Sequence, residues 1–219
     1  MAILATSSGS EKELVPAGNY VARCYQMIEV GTITETINGD TKQLKKVRIG
    51  WEFPNNKKVF NEEKGPQPIV FNEEYTLSMG EKSNLRKMLE SWRGKGFTPE
   101  QAKSFDVSVL IGVPCMVNII HCESKRGTTY AKISSVSGVP AVIEVPAQIT
   151  EKFILSYDDF SVEKFNSLPD FIKEKMKSSK EYQQLFKVNT GHPDGQPAPK
   201  RDDNGNVNSS LPAVDDLPF

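Results

Sequence analysis

Residues 42–53 read KQLKKVRIGWEF, and every second side chain from position 47 onward is apolar. This alternation is the period of a strand that buries one face and exposes the other. The buried face would be formed by Val47, Ile49, Trp51 and Phe53. Lys46 and Arg48 fall on the opposite face, so the stretch predicts a half-buried strand with a basic outer surface.

The residues before this strand predict a partner for it. Residues 20–30, YVARCYQMIEV, are rich in β-branched and aromatic side chains, and the turn Asn38-Gly39-Asp40 separates them from the basic strand. Strict alternation places one set on a single apolar face: Ala22, Cys24, Ile28 and Val30. Arg23 and Tyr25 then point to the other face.

A helix is predicted after a third strand at residues 69–79. Ser78-Met79-Gly80-Glu81 has the spacing of a capping box, in which the hydroxyl and the carboxylate satisfy free backbone N–H groups. An apolar stripe at helical spacing follows: Leu85, Met88, Leu89 and Trp92. Gly94 is suited to end this helix in a left-handed conformation. Thr98-Pro99-Glu100-Gln101 predicts the start of a second, short helix.

The order of these elements predicts the fold class. With residues 114–122 and 128–136 as two further strands, the order is strand, strand, strand, helix, strand, strand. This is the order of the OB-fold, a five-stranded Greek-key barrel with a helix between strands 3 and 4. We therefore expect a mainly β protein with an OB-type barrel over residues 1–138.

The rest of the chain divides into an extension and a tail. Residues 139–187 predict a C-terminal extension, with a further strand at 141–145 and one or two amphipathic helices between 167 and 187, broken near Ser178-Ser179. Residues 188–219 are dominated by Gly, Pro, Asp, Asn and Ser, with scattered apolar positions. Such a segment buries too little apolar surface to offset its conformational entropy, so we expect an acidic, disordered tail.

Charge is distributed unevenly along the chain. The whole sequence has 27 Lys and Arg against 28 Asp and Glu, a formal net charge of -1. Residues 188–219 contain five of the acidic residues and two of the basic ones, which leaves residues 1–187 with a formal charge of +2. A near-neutral average thus hides a mildly basic body, and the balance does not exclude a polyanionic partner.

Several classes of protein are excluded. No apolar run approaches the ~18–20 residues that cross a bilayer, and the first residues lack the pattern of a signal peptide, so we expect no membrane partner and a cytoplasmic protein. The three cysteines have no C-x-x-C spacing, which suits a reduced compartment. We expect no cofactor, no metal and no catalytic residue, because glycine-rich phosphate motifs are absent and neither His121 nor His192 has a recognisable catalytic partner.

The C-terminal residues carry the most specific signal: Asp215-Asp216-Leu217-Pro218-Phe219. They resemble the tip of bacterial single-stranded-DNA-binding proteins, which usually reads D-D-I-P-F. With the strand order, this resemblance implies a phage-encoded single-stranded-DNA-binding protein that acts in replication, recombination and repair in the bacterial host cytoplasm.

The resemblance also implies what the tip does. In that family the terminal Phe enters an apolar pocket on replication and repair proteins, while its carboxylate and the aspartates meet a basic rim. These roles map onto Phe219 and onto Asp215 and Asp216, with Leu217 and Pro218 completing the tip.

Single-strand binding without sequence preference needs cations for the phosphates and aromatic rings on which bases stack. The strand faces and turns that combine these groups supply the candidate DNA-binding residues. These are Arg23, Tyr25, Lys42, Lys45, Lys46, Arg48, Lys57, Lys58, Lys125, Arg126, Tyr130 and Lys132. Trp51 and Trp92 share their faces with apolar residues, so we expect both in the core.

Two alternatives stay open on the sequence. One is an interaction adaptor that carries the tip and whose barrel binds protein instead of DNA. The other is a nucleic-acid enzyme with an OB-type domain, for which the paired carboxylates Glu62-Glu63 and Glu73-Glu74 would be the candidates. The sequence does not fix the oligomeric state, and it is compatible with a homo-oligomer.

Overall fold

The computed structural model describes residues 14–188. Within this range six strands form one sheet: β1 Gly18–Ile37, β2 Asp40–Val59, β3 Pro66–Thr76, β4 Pro114–Glu123, β5 Thr129–Ser137 and β6 Phe153–Leu155. The order across the sheet is β3-β2-β1-β4-β5 with antiparallel neighbours, and the short β6 pairs in parallel with β1. The prediction of a mainly β protein is confirmed.

The described residues form five helices: α1 Asn84–Arg93, α2 Pro99–Lys103, α3 Val162–Asn166, α4 Asp170–Lys177 and α5 Lys180–Val188. As predicted, α1 lies between β3 and β4 and ends at Gly94, whose φ is 67°. The predicted start of α1 is wrong, because the Ser78 hydroxyl accepts a hydrogen bond from the Gly80 N–H (3.3 Å) in a turn, and Ser83 is the N-cap. The capping box of α2, with Thr98 and Gln101, is confirmed.

The first core lies between the inner face of the sheet and α1. Trp51 of β2 and Trp92 of α1 are both buried there, with ring centroids 6.3 Å apart, which confirms that they are core residues. The Trp92 indole N–H donates to the Pro114 carbonyl (3.0 Å), so its one polar atom is satisfied on burial.

Side chains of β1 enter two separate hydrophobic cores, because two bulges interrupt the strand. Its register with β2 shifts between Cys24 and Gln26 and again between Glu29 and Gly31. An extra residue in a strand reverses which face the following side chains reach. Ala22, Cys24 and Met27 enter the first core, whereas Ile28, Val30 and Ile33 enter a second one. The predicted single face of Ala22, Cys24, Ile28 and Val30 is therefore wrong.

The C-terminal extension completes the second core. From β5 the chain crosses the outer face of the sheet, meaning the face directed away from the first core, and reaches β6. Side chains of the extension then pack on Ile28, Val30 and Ile33 of β1: Leu155, Phe165, Leu168, Ile172 and Met176. The predicted helix break at Ser178-Ser179 is confirmed, whereas residues 141–145 form no strand.

Candidate nucleic-acid interface

The extension covers part of the strand face on which the sequence predicted free cations. Glu52, fully buried on β2, accepts hydrogen bonds from the backbone N–H groups of Ile149 (2.8 Å) and Thr150 (2.7 Å). Arg23 donates from Nε to the Pro146 carbonyl (2.7 Å) and from Nη1 to the Gly112 carbonyl (2.8 Å). The Arg23 guanidinium therefore fastens the crossing segment to the sheet.

Three lysines of β2, Lys42, Lys45 and Lys46, lie close to carboxylates. Lys45 Nζ lies 2.7 Å from Glu29, and this hydrogen-bonded ion pair raises the pKa of Lys45. Lys46 Nζ lies 2.7 Å from Glu35, and the Lys46 side chain is only 13% exposed. Lys42 lies 4.0 Å from Asp40 near the end of the β1–β2 hairpin, and both side chains are exposed. Among these three lysines, Lys46 is the most buried, and its ammonium group forms an ion pair within the protein.

Arg48 and Tyr25 also differ from the expectation of a solvated face. Arg48 is half-buried, burial lowers its pKa, and the ring of Phe171 on α4 lies 5.4 Å from its guanidinium carbon. Tyr25 is 8% exposed, and its burial raises the pKa of the phenol. The prediction that Tyr25 offers an open ring is wrong, because the bulge at this point and the glycine at position 50 let the ring lie against the sheet.

The turn between β2 and β3 keeps an exposed aromatic ring among cations. Phe60 is 63% exposed at this turn, next to Lys57 and Lys58 at the end of β2. In this turn Asn61 caps a short 3-10 helix by accepting a hydrogen bond from the Glu63 N–H (2.8 Å). An aromatic ring held in solvent beside lysines is the combination that stacking on bases requires.

The turn between β4 and β5 also combines an exposed aromatic ring with cations. Lys125 and Arg126 are exposed at its tip, and Tyr130, 42% exposed, follows on β5. Lys132 is exposed two residues further on, and its charge acts on Glu73 of β3, where it opposes the rise in pKa that burial causes. This turn therefore places two exposed cations next to an accessible ring.

Register brings both turns to one end of the sheet. In β1, Gly18 lies opposite Ile119 of β4, and Arg23 lies opposite Glu52 of β2. Strands β2 and β4 both continue beyond the start of β1, so the turns that follow them flank that end. Residues 57–65 carry three Lys against two Glu, and residues 123–132 carry three cations against one Glu. Each of the two turns therefore carries more cations than carboxylates.

Sequence reasoning found only part of this surface. It named Lys57, Lys58, Lys125, Arg126, Tyr130 and Lys132, all of which lie at or beside the two turns. It did not name Phe60 or Lys64, although an aromatic residue within a polar turn was a usable signal. The predicted partner-binding residues, Asp215 to Phe219, lie outside the described residues. So does the segment predicted to be disordered, 188–219, except for Val188, which ends α5.

The next features are the histidine, cysteine and acidic side chains of residues 14–188. No group of three or more His, Cys, Asp and Glu side chains there could hold a metal ion. His121 Nε2 lies 2.8 Å from the Val15 carbonyl, and burial raises the pKa of the Cys24 thiol to about 12. None of the helices in this part of the chain is long and apolar enough to span a bilayer.

Comparison of the chain with protein-family models, with curated proteins and with solved structures finds no match.

Proposed function

We propose that the chain binds single-stranded DNA with little sequence preference through the two turns that flank the start of β1. The observation that carries this proposal is the pair of exposed rings, Phe60 and Tyr130, each beside cations at the same end of the sheet. Base–aromatic stacking contributes ~1–3 kcal/mol per base and tolerates any base, while the cations neutralise phosphates. Elsewhere on β2, Lys45 and Lys46 are paired with Glu29 and Glu35.

The element order supports an OB-type barrel as the framework of this site. Strand β1 pairs with both β2 and β4, and α1 connects β3 to β4, as in that fold. We take the order of these pairings, together with the tip residues, as the basis for a protein of the single-stranded-DNA-binding type, encoded by a phage and active in the host cytoplasm. Its role would be to protect single strands in replication, recombination and repair, without catalysis.

The tip residues would recruit replication and repair proteins. Phe219 is the proposed apolar anchor, and Asp215 and Asp216 provide charges that steer it toward a basic rim. Deleting Phe219 should abolish recruitment while leaving DNA affinity nearly intact, measured by pull-down and by anisotropy on the same preparation. Recruitment that survives loss of Phe219 would contradict this role.

The test of DNA binding is a titration of fluorescein-labelled oligothymidine with the full chain, followed by anisotropy and compared with a duplex of equal length. Phe60→Ala and Tyr130→Ala should each weaken single-strand binding by ~1–3 kcal/mol, and Tyr130→Phe, which keeps the ring, should not. Equal affinity for duplex and single strand, or unchanged affinity in both alanine variants, would contradict the site.

The alternative adaptor function is favoured by one observation, namely that Lys45 and Lys46, two of the predicted DNA contacts, are held in ion pairs with Glu29 and Glu35. An adaptor would bind a partner through Phe219 and show no affinity for oligothymidine at low salt.

A further inference from the structure

Phe171 is the third exposed aromatic side chain among the described residues, after Phe60 and Tyr130. It is 62% exposed on α4, far from both turns in sequence, and its ring lies over the guanidinium of Arg48 at 5.4 Å. A cation over an aromatic face is attracted by the ring quadrupole, which favours this position of the ring. The C-terminal extension therefore places a solvent-facing ring above the strand that carries Arg48.

The helix beneath this ring is firmly anchored. Ile172 and Met176 of α4 are buried in the second core. Lys175, one turn after Phe171, donates from Nζ to both carboxylate oxygens of Glu74 on β3 and lies 3.8 Å from Glu35. A ring on so constrained a helix loses little freedom when a ligand stacks on it.

Most charges around Phe171 are paired. Lys46 and Lys175 are balanced by Glu35 and Glu74, and on α4 Asp170 pairs with Lys173 and Glu174 with Lys177. Arg48 is the additional cation; its Nε is buried without a hydrogen-bond partner among the described residues, and Glu74 offsets part of its charge. Arg48 therefore supplies the positive charge next to the ring that an anionic strand would meet.

We propose that Phe171, backed by Arg48, is a base-stacking platform for single-stranded DNA, contributed by the C-terminal extension. This inference rests on the proposed DNA-binding function and adds a second contact region on the β2–β3 side of the sheet. If Phe171 only covered Arg48, any apolar side chain at position 171 could replace it. Stacking on a base requires an aromatic ring. The two roles therefore predict different outcomes for leucine and tryptophan at this position.

The experiment compares Phe171→Leu with Phe171→Trp in the full chain, using labelled oligothymidine at low salt. Phe171→Leu should bind about fivefold to 150-fold more weakly, the range that stacking of one base implies. Phe171→Trp should bind as the unaltered chain does, and oligothymidine should quench the fluorescence of the added indole. The quenching can be assigned to position 171, because Trp51 and Trp92 are buried. Thermal unfolding of both variants checks that α4 stays docked.

Failure of this inference is distinguishable from failure of the proposed function. If the unaltered chain binds oligothymidine, and Phe60→Ala weakens that binding while Phe171→Leu does not, the platform is refuted and the turns remain the site. An indole at position 171 that oligothymidine does not quench would refute the platform equally. If the unaltered chain does not bind oligothymidine, the proposed function itself is refuted.

Discussion

Gly50 lies on β2 where the outer face has no space for a side chain. A Cβ at this position would lie 2.9 Å from the Cβ of Gln26 and 3.0 Å from Cε1 of Tyr25. Distances this short require the neighbours to move, and Gln26 Cβ is fixed to the β1 backbone. The missing side chain at position 50 is what allows Tyr25 to lie buried against the sheet.

Gly50→Ala should therefore lower the free energy of unfolding by about 1–3 kcal/mol, the usual cost of overpacking. Gly96→Ala is the matched control, because the nearest atom to a Cβ there is Glu90 Oε1 at 3.9 Å, an ordinary van der Waals distance. Urea denaturation of both variants measures the difference. Equal stability of the two would show that the contact around Tyr25 is loose.

The burial of Tyr25 also shows where sequence reasoning reached its limit at the residue scale. Alternation correctly placed Trp51 in the core, because β2 is regular at that point. It misplaced Ile28 and Val30, because a bulge depends on which partner residues a strand meets. The positions of the bulges are set by how β1 pairs with β2, and the alternation within β1 alone does not reveal them.

At the scale of elements, α5 is held to β1 through one carboxylate. Glu181 accepts hydrogen bonds from the Thr32 N–H (2.6 Å) and from the Thr32 hydroxyl (2.7 Å). Burial alone would raise the pKa of Glu181, but these hydrogen bonds and the charge of Lys45 outweigh it, so the pKa lies below the ordinary 4.5. The contact also gives the Thr32 N–H a hydrogen-bond partner.

A carboxyl group whose pKa is lower in the folded state stabilises the fold above its unfolded pKa, and this stabilisation is lost as pH falls through the folded value. Below pH 4.5, the unaltered chain should therefore lose stability more steeply than Glu181→Gln, which is less stable at neutral pH. Glu174→Gln, which removes an exposed carboxylate of α4, is the control and should follow the unaltered chain. Parallel pH profiles for the unaltered chain and Glu181→Gln, from urea unfolding, would contradict this account.

Element boundaries were predictable where local chemistry sets them. The end of α1 at Gly94, the capping box at Thr98 and the break at Ser178-Ser179 all follow from nearby residues. The docking of the extension on the outer face was not predictable, because it depends on contacts such as Glu52 with Ile149, 97 positions apart. The ion pair of Lys46 with Glu35 was not predicted either, because it depends on how β1 and β2 pair around the two bulges.

In the whole molecule, the formal charge of residues 1–187 is opposite in sign to that of residues 188–219. Residues 1–187 carry +2, and residues 188–219 carry five acidic side chains against two basic ones. Fully extended, the segment from 189 to 219 would span about 100 Å, enough to bring its acidic residues to either turn. The tail would then compete with phosphates at high effective concentration.

Removing residues 189–219 should therefore raise oligothymidine affinity at low salt, where the Debye length is about 30 Å at 0.01 M ionic strength. The gain should shrink as salt increases, because the tail and the DNA are screened alike. A tail with its acidic residues changed to Asn and Ser is the control for chain length, and it should behave like the truncated protein. Unchanged affinity at low salt would rule out the competition.

We propose that cations of the two turns neutralise DNA phosphates, and the slope of log affinity against log salt measures that neutralisation. The full chain should bind oligothymidine with a negative slope, and Arg126→Gln should reduce that slope by about 0.7, the contribution of one phosphate contact on a single strand. Lys103→Gln removes an equally exposed cation on α2, beside Leu77 and Met79, and should leave the slope unchanged. A slope that is insensitive to Arg126→Gln, or equally sensitive to both substitutions, would contradict the account.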